Sequence, residues 1–544
     1  MKQFLILAVV MLLGLTACAK PKAELTFDPS KGEAGELTTA GGVVKYTAYR
    51  DIYYVTNVED SVYQKMNIFV PENATQESPI LVKNNVAGYH ECQAGNVRAG
   101  SVEGRALAKG YVVVLPGVRG SSSTVTNADG SKTYTGRAPK GLLDLKAVVR
   151  YLRHFDKQML GSAERIVTDG TSAGGAMSSL QGATGNNPAY EELLEAMGAA
   201  PERDDIFAAV CFCPITDLDH ADAAYEWLYG ETESRAAQSV AVRKVSAELA
   251  AQYPAYINSL NLKDRNGNPV TADNYADIVK AELIRSAQRA QDAGATIPDS
   301  IGFTVASSGG GRPGGMMGGP RGQRDERPQA IPEGEMLDPL MAVNDDGTNA
   351  FTPDGRPTGG PPSKEGGHQR GGMPMGGGGM GGPGSGSSIS DLDLATYLNY
   401  VSSKERLKGV PAFDSQMTNA PISGSASAEN QEFGDAEGNN VNFTDYAAGL
   451  NGLTVSDEVK QNVYLLNPMN FIDDPKTTVA PHWYIRHGSV DRDTSFPVSI
   501  NLAYKLMNAG KDVNYLLAWN RPHSGDYSLD ELFDWLDTIM WESK

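Results

Sequence analysis

A serine in a glycine-rich turn is the clearest chemical signal in this sequence. Residues 168–180 read TDGTSAGGAMSSL and contain a G-x-S-x-G pattern centred on Ser172. The pattern follows an apolar stretch and precedes small residues that suit a helix, so a tight turn would expose the hydroxyl at a helix N-terminus. Ser172 is therefore a candidate nucleophile, and the backbone amide of Ala173 is a candidate donor to the oxyanion. The alternative is a purely structural glycine-rich turn.

A serine nucleophile needs a base, and histidine is the usual one. Where this serine motif is catalytic, the chain order is serine, then an acid, then histidine. Only His523, in NRPHSGDYS directly after the last apolar run, follows both Ser172 and a late acidic loop. The remaining histidines fit this order less well: His90, His154, His220, His368, His482 and His487. His523 is the predicted base, against the alternative of a histidine in a surface loop.

Two aspartates compete for the role of the acid. Asp491 and Asp493 lie in RHGSVDRDTS, in the loop after the preceding predicted strand. One carboxylate suffices to accept the imidazole N–H, so the second is free for another task, and spacing alone does not order them. A metal pair is disfavoured, because the alternating oxygen ligands typical of hard cations are missing and Arg492 stands between the two. We predict neither a metal nor a cofactor.

The second oxyanion donor should come from the loop after an earlier strand. That loop is KNNVAGYHE, residues 83–91, where Ala87 and Gly88 permit close approach of the backbone. We predict the amide of Ala87 for this position.

These residues need a scaffold, and the sequence predicts an α/β fold with a mostly parallel sheet flanked by helices. Short apolar runs alternate with helical segments, as expected for such a sheet. The runs are PILV (79–82), YVVVLPG (111–117), RIVTDG (165–170), FAAVCFCP (207–214), HWYIRHG (482–488) and VNYLLAW (513–519). Residues 141–155 have apolar side chains at helical spacing and predict a crossover helix between parallel strands. Ser528 and Glu531 predict a capping box at the start of a final helix.

The alternating pattern lapses between residues 218 and 470, which we predict to be a mostly helical lid insertion. The core would then comprise residues 41–217 and 471–544. Within the insertion, residues 307–389 are dominated by glycine, proline, methionine and polar residues. Such a composition buries too little apolar surface to fold, so we expect disorder there. Its thioethers could capture a soft metal ion, but the irregular methionine spacing favours a flexible linker.

The N-terminus carries the features of an export signal. MKQFLILAVVMLLGLTAC has a basic start and an apolar stretch too short to span a membrane, which predicts a signal peptide over residues 1–17. The ending LTAC resembles the bacterial lipoprotein processing box. That resemblance implies cleavage before Cys18, lipid attachment to its thiol and a lipidated leader over residues 18–40. The expected location is extracytoplasmic, anchored to a bacterial membrane at the periplasmic face or the cell surface; the alternative is an ordinary signal with a chance cysteine.

Charge and cysteine content narrow the range of partners. A net charge of −19 and a pI near 4.9 argue against nucleic acid and against anionic membrane surfaces. Any membrane contact would therefore go through the N-terminal lipid. Cys92, Cys211 and Cys213 have neither a disulfide pattern nor metal-ligand spacing, which is typical of small core residues. The sequence makes no prediction of the oligomeric state.

Several longer motifs resemble those of bacterial tannases and their feruloyl-esterase-like relatives, which are α/β-hydrolases. In chain order they are YVVVLPGVRG, TGRAPKGLLDLKAVVRYLRH, GTSAGGAMS, CPITDLDHADAAYEW, KGVPAFD, AENQEFG, RHGSVDRDTS and PHSGDYSLDELF. The resemblance implies an α/β-hydrolase fold and a catalytic triad of Ser172, Asp491 and His523.

The same resemblance implies a pocket for a phenolic ring. Asp493 would join two residues of the lid, Lys408 and Glu429, to hold the hydroxyls of a galloyl group. Two carboxylates and an ammonium can pair three neighbouring hydroxyls, and an analogue that lacks one leaves a charge unpaired. The expected activity is hydrolysis of small phenolic galloyl esters by a secreted, lipid-anchored serine esterase. The alternatives are a feruloyl or general carboxylesterase, a peptidase, and a non-catalytic surface lipoprotein that binds phenolics or glycans.

Overall fold

The computed structural model describes residues 24–306, 388–418 and 422–542. The predicted signal peptide, the predicted lipidation site Cys18 and residues 307–387 of the low-complexity tract lie outside the described residues. No helix within the described ranges is both long enough and apolar enough to span a bilayer.

Strands form the centre of the molecule. They are β1 (Glu33–Thr39), β2 (Gly42–Tyr53), β3 (Lys65–Pro71), β4 (Ile80–Asn84), β5 (Val112–Pro116), β6 (Thr124–Thr126), β7 (Lys132–Tyr134), β8 (Ile166–Thr171), β9 (Ala208–Phe212), β10 (Phe303–Ala306), β11 (Ser388–Leu392), β12 (His482–Gly488) and β13 (Asp512–Ala518). β4, β5, β8 and β9 are buried along their whole length, as expected for central strands covered on both faces.

Helices cover the sheet and fill the insertion. They are α1 (Val102–Ala108), α2 (Lys140–His154), α3 (Ala173–Ala183), α4 (Glu191–Ala196), α5 (Leu218–Tyr229), α6 (Glu233–Ala236), α7 (Val240–Ala250), α8 (Tyr253–Leu260), α9 (Tyr275–Asp292), α10 (Leu394–Lys404), α11 (Ala428–Glu432), α12 (Asp445–Leu450), α13 (Asp457–Leu465), α14 (Phe496–Asn508) and α15 (Leu529–Glu542). Short 3-10 turns lie at Pro29–Lys31, Ala163–Arg165, Pro188–Tyr190, Asp299–Ile301 and Pro468–Asn470.

Nine strands form one sheet in the order β1-β2-β3-β5-β4-β8-β9-β12-β13. Pairing is antiparallel from β1 to β5 and parallel from β5 to β13. The predicted fold class, a mostly parallel sheet flanked by helices, is therefore confirmed. The six apolar runs coincide with the six parallel strands. The first three strands were not predicted; in β1 and β2 burial is discontinuous, so they lack the apolar run that marks a central strand.

Helices α2 and α3 flank strand β8, the strand that ends directly before Ser172. α2 joins β5 to β8, which run in the same direction as predicted but are separated in the sheet by β4. α3 follows β8 and packs against both β8 and β9. Small residues make this packing close: a Cβ added to Gly182 would lie 2.6 Å from the ring of Trp483 in β12.

Between β9 and β12, the described residues form helices α5 to α13 and the antiparallel pair of strands β10 and β11. β11 begins at Ser388, so the last two residues of the low-complexity tract, which we expected to be disordered, belong to a strand. α5 and α9 both pack against α14. The insertion is thereby joined to the helical layer of the core.

The capping box predicted for α15 is wrong. Ser528 is in the left-handed region, with φ at +53°, instead of the extended conformation of a capping residue. The carboxylate of Glu531 does not reach back to it; one oxygen lies 2.8 Å from Arg289 and also contacts the buried Arg486. An unpaired buried guanidinium is costly, whereas an exposed helix end can bond to water, so Glu531 pairs with Arg486 and does not cap the helix.

Candidate active site

Ser172 is the single residue between β8 and α3, and its backbone is strained. Its φ is +60° and its ψ is −121°, a combination that a non-glycine residue adopts only when its surroundings enforce it. Its amide donates to the carbonyl of Phe212 at 2.9 Å. A Cβ added to Gly170 would lie 2.2 Å from the carbonyl oxygen of Gly174. The glycines on either side therefore permit the sharp turn that exposes the serine.

His523 and Asp491 continue a hydrogen-bonded chain from the Ser172 hydroxyl. Oγ of Ser172 lies 2.8 Å from Nε2 of His523, and Nδ1 of His523 lies 2.8 Å from Oδ2 of Asp491. The three residues follow β8, β13 and β12, so the carboxyl ends of three parallel strands bring them together. An imidazole held between a hydroxyl and a carboxylate can remove the hydroxyl proton and pass it to a leaving group.

The hydrogen bond to His523 is made by Asp491 and not by Asp493. Asp491 is fully buried, and its Oδ1 accepts from the amides of Asp493 at 2.7 Å and Thr494 at 3.1 Å. Burial raises the pKa of the Asp491 carboxyl, but His523, His487 and the Thr494 amide outweigh burial and hold the pKa well below its ordinary value. The Asp491 carboxyl is therefore ionised in the folded protein near neutral pH.

Two neighbouring side chains, Asp491 and Cys213, affect the protonation of the His523 imidazole. Burial lowers its pKa, but the Asp491 carboxylate outweighs burial and raises the pKa well above its ordinary value. The second neighbour is the thiol of Cys213, directly after β9, which was predicted only as a core residue. It donates to the carbonyl of Ser524 at 3.3 Å and accepts from the amide of Gly488 at 3.4 Å. Cys213 therefore packs the loop after β13 against the ends of β9 and β12.

His487 was set aside because it precedes the acid, yet it touches Asp491. Its Nε2 lies 3.1 Å from the carbonyl oxygen of Thr494 and 3.3 Å from Oδ2 of Asp491. Its Nδ1 has no hydrogen-bond partner among the described residues. Burial lowers the pKa of His487, so the neutral ring carries its proton on Nε2 and donates it. The sequence signal for this contact was the position of His487 at the end of β12, shortly before the loop of residues 489–493 that carries the acid (the acid loop).

Three tyrosines hold the backbone of the acid loop. Tyr225 and Tyr229, both in α5, donate their hydroxyls to carbonyls within residues 489–493, and so does Tyr397 of α10. The hydroxyls of Tyr229 and Tyr397 lie 2.7 Å from their acceptors. Helices of the insertion thus fix the loop that carries both aspartates. Nothing in the spacing of these tyrosines distinguished them from ordinary core aromatics.

The loop after β4 packs backbone to backbone on the start of α3. A Cβ added to Gly174 would lie 2.5 Å from the carbonyl oxygen of Asn84. Ala87 lies further along this loop and Ala173 is the first residue of α3, so the segments carrying both predicted oxyanion donors are adjacent. Tyr89, at φ +58°, ties the loop to the segment after β9 through its hydroxyl at 2.7 Å.

Lys408 lies beside the acid loop that carries Asp493. The amide of Lys408 donates to the hydroxyl of Tyr225 at 3.0 Å, and that hydroxyl donates to the carbonyl of Arg492, the neighbour of Asp493. Nζ of Lys408 lies 4.1 Å from the centre of the Phe413 ring. Tyr225 therefore ties the backbone of Lys408 to the acid loop, which carries Asp493, while the Lys408 ammonium lies over the Phe413 ring.

Glu429 approaches from the side of the loop after β4. It lies in α11, whose first residue packs against that loop: a Cβ added to Gly88 would lie 3.8 Å from Cβ of Ala428. Burial raises the pKa of Tyr89 well above its ordinary value, and the Glu429 carboxylate adds to this effect. α11 also reaches the segment beside Lys408, since the hydroxyl of its capping residue Ser427 donates to the carbonyl of Phe413.

In the part of the chain that the structure describes, two groups of side chains bring possible metal ligands within 4.8 Å of one another; they are Cys213, Asp491 and His523, and Asp217, Asp219 and His220. The first group is the hydrogen-bonded chain just described. In the second, Nδ1 of His220 lies 3.0 Å from Oδ1 of Asp217, and the other Asp217 oxygen accepts from Tyr256 at 2.6 Å. These contacts already satisfy the same atoms that would have to bind an ion.

Comparison with known proteins gives close matches over nearly the whole chain. The tannin acyl hydrolase of Lactobacillus plantarum is 31% identical with a TM-score of 0.72, and the match covers 94% of this chain and 98% of that one. The tannase of Fusobacterium nucleatum is 30% identical with a TM-score of 0.72, covering 95% and 99% of the two chains.

A tannin acyl hydrolase solved in complex with ethyl gallate is 31% identical, with a TM-score of 0.72 and coverage of 94% and 98%. The BD-FAE family profile matches residues 66–258, which include Ser172 but neither Asp491 nor His523. No curated protein sequence matches the chain.

Proposed function

Because the chain belongs to the tannase family of α/β-hydrolases and is a tannase-like ester hydrolase, we propose that it cleaves galloyl esters through a serine acyl-enzyme. The observation that carries the proposal is the chain of hydrogen bonds from Ser172 through His523 to Asp491, 2.8 Å at each link. The strained backbone of Ser172 supports it, since such a conformation is characteristic of functional turns.

In the proposed reaction, Oγ of Ser172 attacks the ester carbonyl while Nε2 of His523 takes the hydroxyl proton. The Asp491 carboxylate stabilises the imidazolium that forms. The amides of Ala173 and Ala87 bind the oxyanion, and one such donor contributes roughly 3–4 kcal/mol. Collapse of the tetrahedral intermediate breaks the C–O bond, and His523 returns the proton to the departing alcohol. Water then attacks the acyl-enzyme by the same route, releasing the acid and restoring the serine.

The acyl group is proposed to be gallate or a related polyhydroxybenzoate. Asp493 and Lys408, on the side of the acid loop, and Glu429, on the side of the β4 loop, supply charges that can pair the ring hydroxyls. The ethyl gallate complex of a 31% identical relative supports this assignment. Glu429 is almost fully buried, with 4% of its surface exposed, so a hydrogen bond from a ring hydroxyl to its carboxylate would form away from bulk water, where such bonds are stronger.

An ester panel tests the substrate assignment. The value of kcat/KM should be highest for methyl gallate and should fall for methyl ferulate, which lacks the adjacent hydroxyls, and for methyl benzoate. A preference for ferulate, or equal rates on all three esters, would replace the proposal with a feruloyl or general carboxylesterase. A fluorophosphonate should label Ser172 if the protein is a serine esterase, whatever its substrate. A protein that only binds phenolics would not react with it.

We also propose that the protein is exported and anchored by a lipid on Cys18. The proposal rests on the sequence LTAC after an apolar segment, residues that lie outside the described structure. Expression in a bacterial host with an alkyne fatty acid should label the wild type and leave Cys18→Ser unlabelled. Equal labelling of the two would contradict the lipid site.

A further inference from the structure

A buried lysine under the site joins two carboxylates that the proposed reaction does not use. Nζ of Lys83 lies 2.8 and 2.6 Å from the two carboxylate oxygens of Asp526, and it also contacts Oδ1 of Asp169. The side chains of Lys83 and Asp169 are 1% and 0% exposed, whereas that of Asp526 is 21% exposed. The three N–H donors of the ammonium are therefore all used within this cluster.

The cluster draws together the three segments that carry the reacting groups. Lys83 is in β4, ahead of the loop with Ala87; Asp169 is in β8, three residues before Ser172; and Asp526 lies three residues after His523. β13 is the edge strand, separated from β8 by β9 and β12. The loop after β13 must therefore cross the ends of two strands before His523 reaches the serine.

That loop is pinned at three successive residues. The carbonyl of Ser524 accepts from the thiol of Cys213 at 3.3 Å. Gly525 lies directly on Thr171, since an added Cβ would be only 1.8 Å from the threonine hydroxyl oxygen. Asp526 completes the series with its two-oxygen contact to Lys83. Of the three, only the last is ionic, and hydrogen bonds between charged groups are the stronger kind.

The charges of the cluster favour a firm contact between Lys83 and Asp526. Burial raises the pKa of Asp169 to about 8, despite the opposing effect of Lys83, and the neighbouring Asp526 adds to the increase. This increase favours the neutral form of Asp169, so Asp526, which contacts the ammonium with both oxygens, is the principal carboxylate partner of Lys83. Cys211, in β9, is the other titratable group beside Asp169, and burial raises its pKa, so it stays a neutral thiol.

We propose that Lys83 and Asp526 are positioning residues for the ester hydrolysis: their ion pair sets the distance and orientation of His523 relative to Ser172. This inference rests on the proposed serine mechanism. Neither residue touches the reacting atoms. Their effect should be on kcat rather than on KM, because the base acts in the chemical step and the predicted ring pocket is built from other residues.

Asp526→Asn is the informative variant. Asp526 has φ at +54°, a conformation that asparagine tolerates nearly as well as aspartate, so this change removes the charge without adding backbone strain. Misplacing a catalytic group by about 1 Å can cost on the order of a hundredfold in rate, so we expect kcat for methyl gallate to fall roughly 10- to 100-fold with KM within about twofold. Asp526→Glu, which keeps the carboxylate, should recover part of the loss.

Lys146→Met is the matched control. Lys146 and Asp204 form another buried pair, 0% and 1% exposed and 2.8 Å apart, but Lys146 contacts the far end of α3 at Thr184. This control should lower the melting temperature and leave the kcat of the folded enzyme unchanged. Both enzymes are assayed at least 10 °C below their melting midpoints, so that only folded protein is compared.

Three outcomes separate the possibilities. A fall in kcat for Asp526→Asn but not for Lys146→Met, with partial recovery in Asp526→Glu, supports the positioning role. A kcat for Asp526→Asn within about twofold of the wild type, or a loss confined to KM, overturns it. A wild-type protein that hydrolyses no ester and does not react with a fluorophosphonate refutes the proposed function instead, and the inference falls with it.

Discussion

Replacement of Asp493 by asparagine should reduce galloyl preference without harming the chemistry. The Asp493 side chain is 26% exposed, and its Oδ2 lies 3.6 Å from Nε of Arg492. Asp491, two residues earlier, is the carboxylate bonded to His523. In the proposed site the Asp493 carboxylate accepts a hydrogen bond from a ring hydroxyl, and a hydrogen bond to a charged group contributes about 1.5–3 kcal/mol. Asparagine keeps the shape but loses the charge, so kcat/KM for methyl gallate should fall roughly 10- to 100-fold.

The assay compares kcat/KM for methyl gallate with that for methyl benzoate, whose ring offers no hydroxyl to Asp493. The value for methyl benzoate should stay within about twofold of the wild type, so the ratio of the two falls by the full factor. Glu405→Gln is a matched control, because Oε2 of Glu405 lies 3.0 Å from the same Nε of Arg492. It removes one carboxylate charge from the same guanidinium but none from the predicted ring pocket.

Equal losses on both esters would refute this reasoning, since Asp493 would then act on catalysis rather than on the ring. An unchanged ratio would remove Asp493 from the pocket. If Glu405→Gln lowered the ratio as much as Asp493→Asn, the effect would belong to the orientation of Arg492 and the acid loop.

Two further substitutions test the environment of the acid. Asp491→Asn should lower kcat on every ester by about ten-thousandfold. The imidazolium of His523 must lose its proton before it can act as a base, so activity rises with pH through the His523 pKa, which the Asp491 carboxylate raises. Without that carboxylate the pKa of His523 falls, and the acid limb of the kcat/KM profile of Asp491→Asn should move to lower pH. An acid limb that stays in place would contradict the pairing of Asp491 with His523. His487→Phe keeps a ring against Phe496, now 5.6 Å away between centres, but removes the N–H that faces Asp491. The variant also loses the hydrogen bond from Nε2 to the Thr494 carbonyl in the acid loop, worth about 1–1.5 kcal/mol, so kcat should fall by up to roughly tenfold, and an unchanged kcat would make His487 a packing residue only.

The parallel part of the sheet could be predicted because four of its six strands, β4, β5, β8 and β9, are buried along their whole length. β5 reads VVVLP and β9 reads AAVCF, continuous apolar runs that few other structures produce. β1 and β2 lie at the edge with one exposed face, and their polar positions resemble a loop in a single sequence. The capping box failed for a different reason: Glu531 has a competing partner in Arg486, which comes from a distant part of the chain.

The order of residues along the chain was enough to predict the serine and the histidine of the candidate site. The G-x-S-x-G turn and the late histidine follow from order and spacing, but those alone could not say which aspartate bonds to the imidazole. The structure distinguishes them because the backbone amides of Asp493 and Thr494 both donate to Asp491. Cys213 and Lys83 escaped prediction, since each acts through contacts with segments that are far apart in sequence. His487 was missed for another reason: its contacts are local, but it precedes the acid in the chain and so did not fit the expected order.

The most direct test of the account is the hydrolysis of methyl gallate by wild type and by Ser172→Ala under identical conditions. The wild type should release gallate, and the variant should lose at least about a thousandfold in kcat, since the residual rate would come only from the oxyanion donors and from binding. Its melting temperature should stay equal to or above that of the wild type, because the change removes only a hydroxyl from a strained turn. Retained hydrolysis in a folded Ser172→Ala protein would contradict the serine mechanism at its first step.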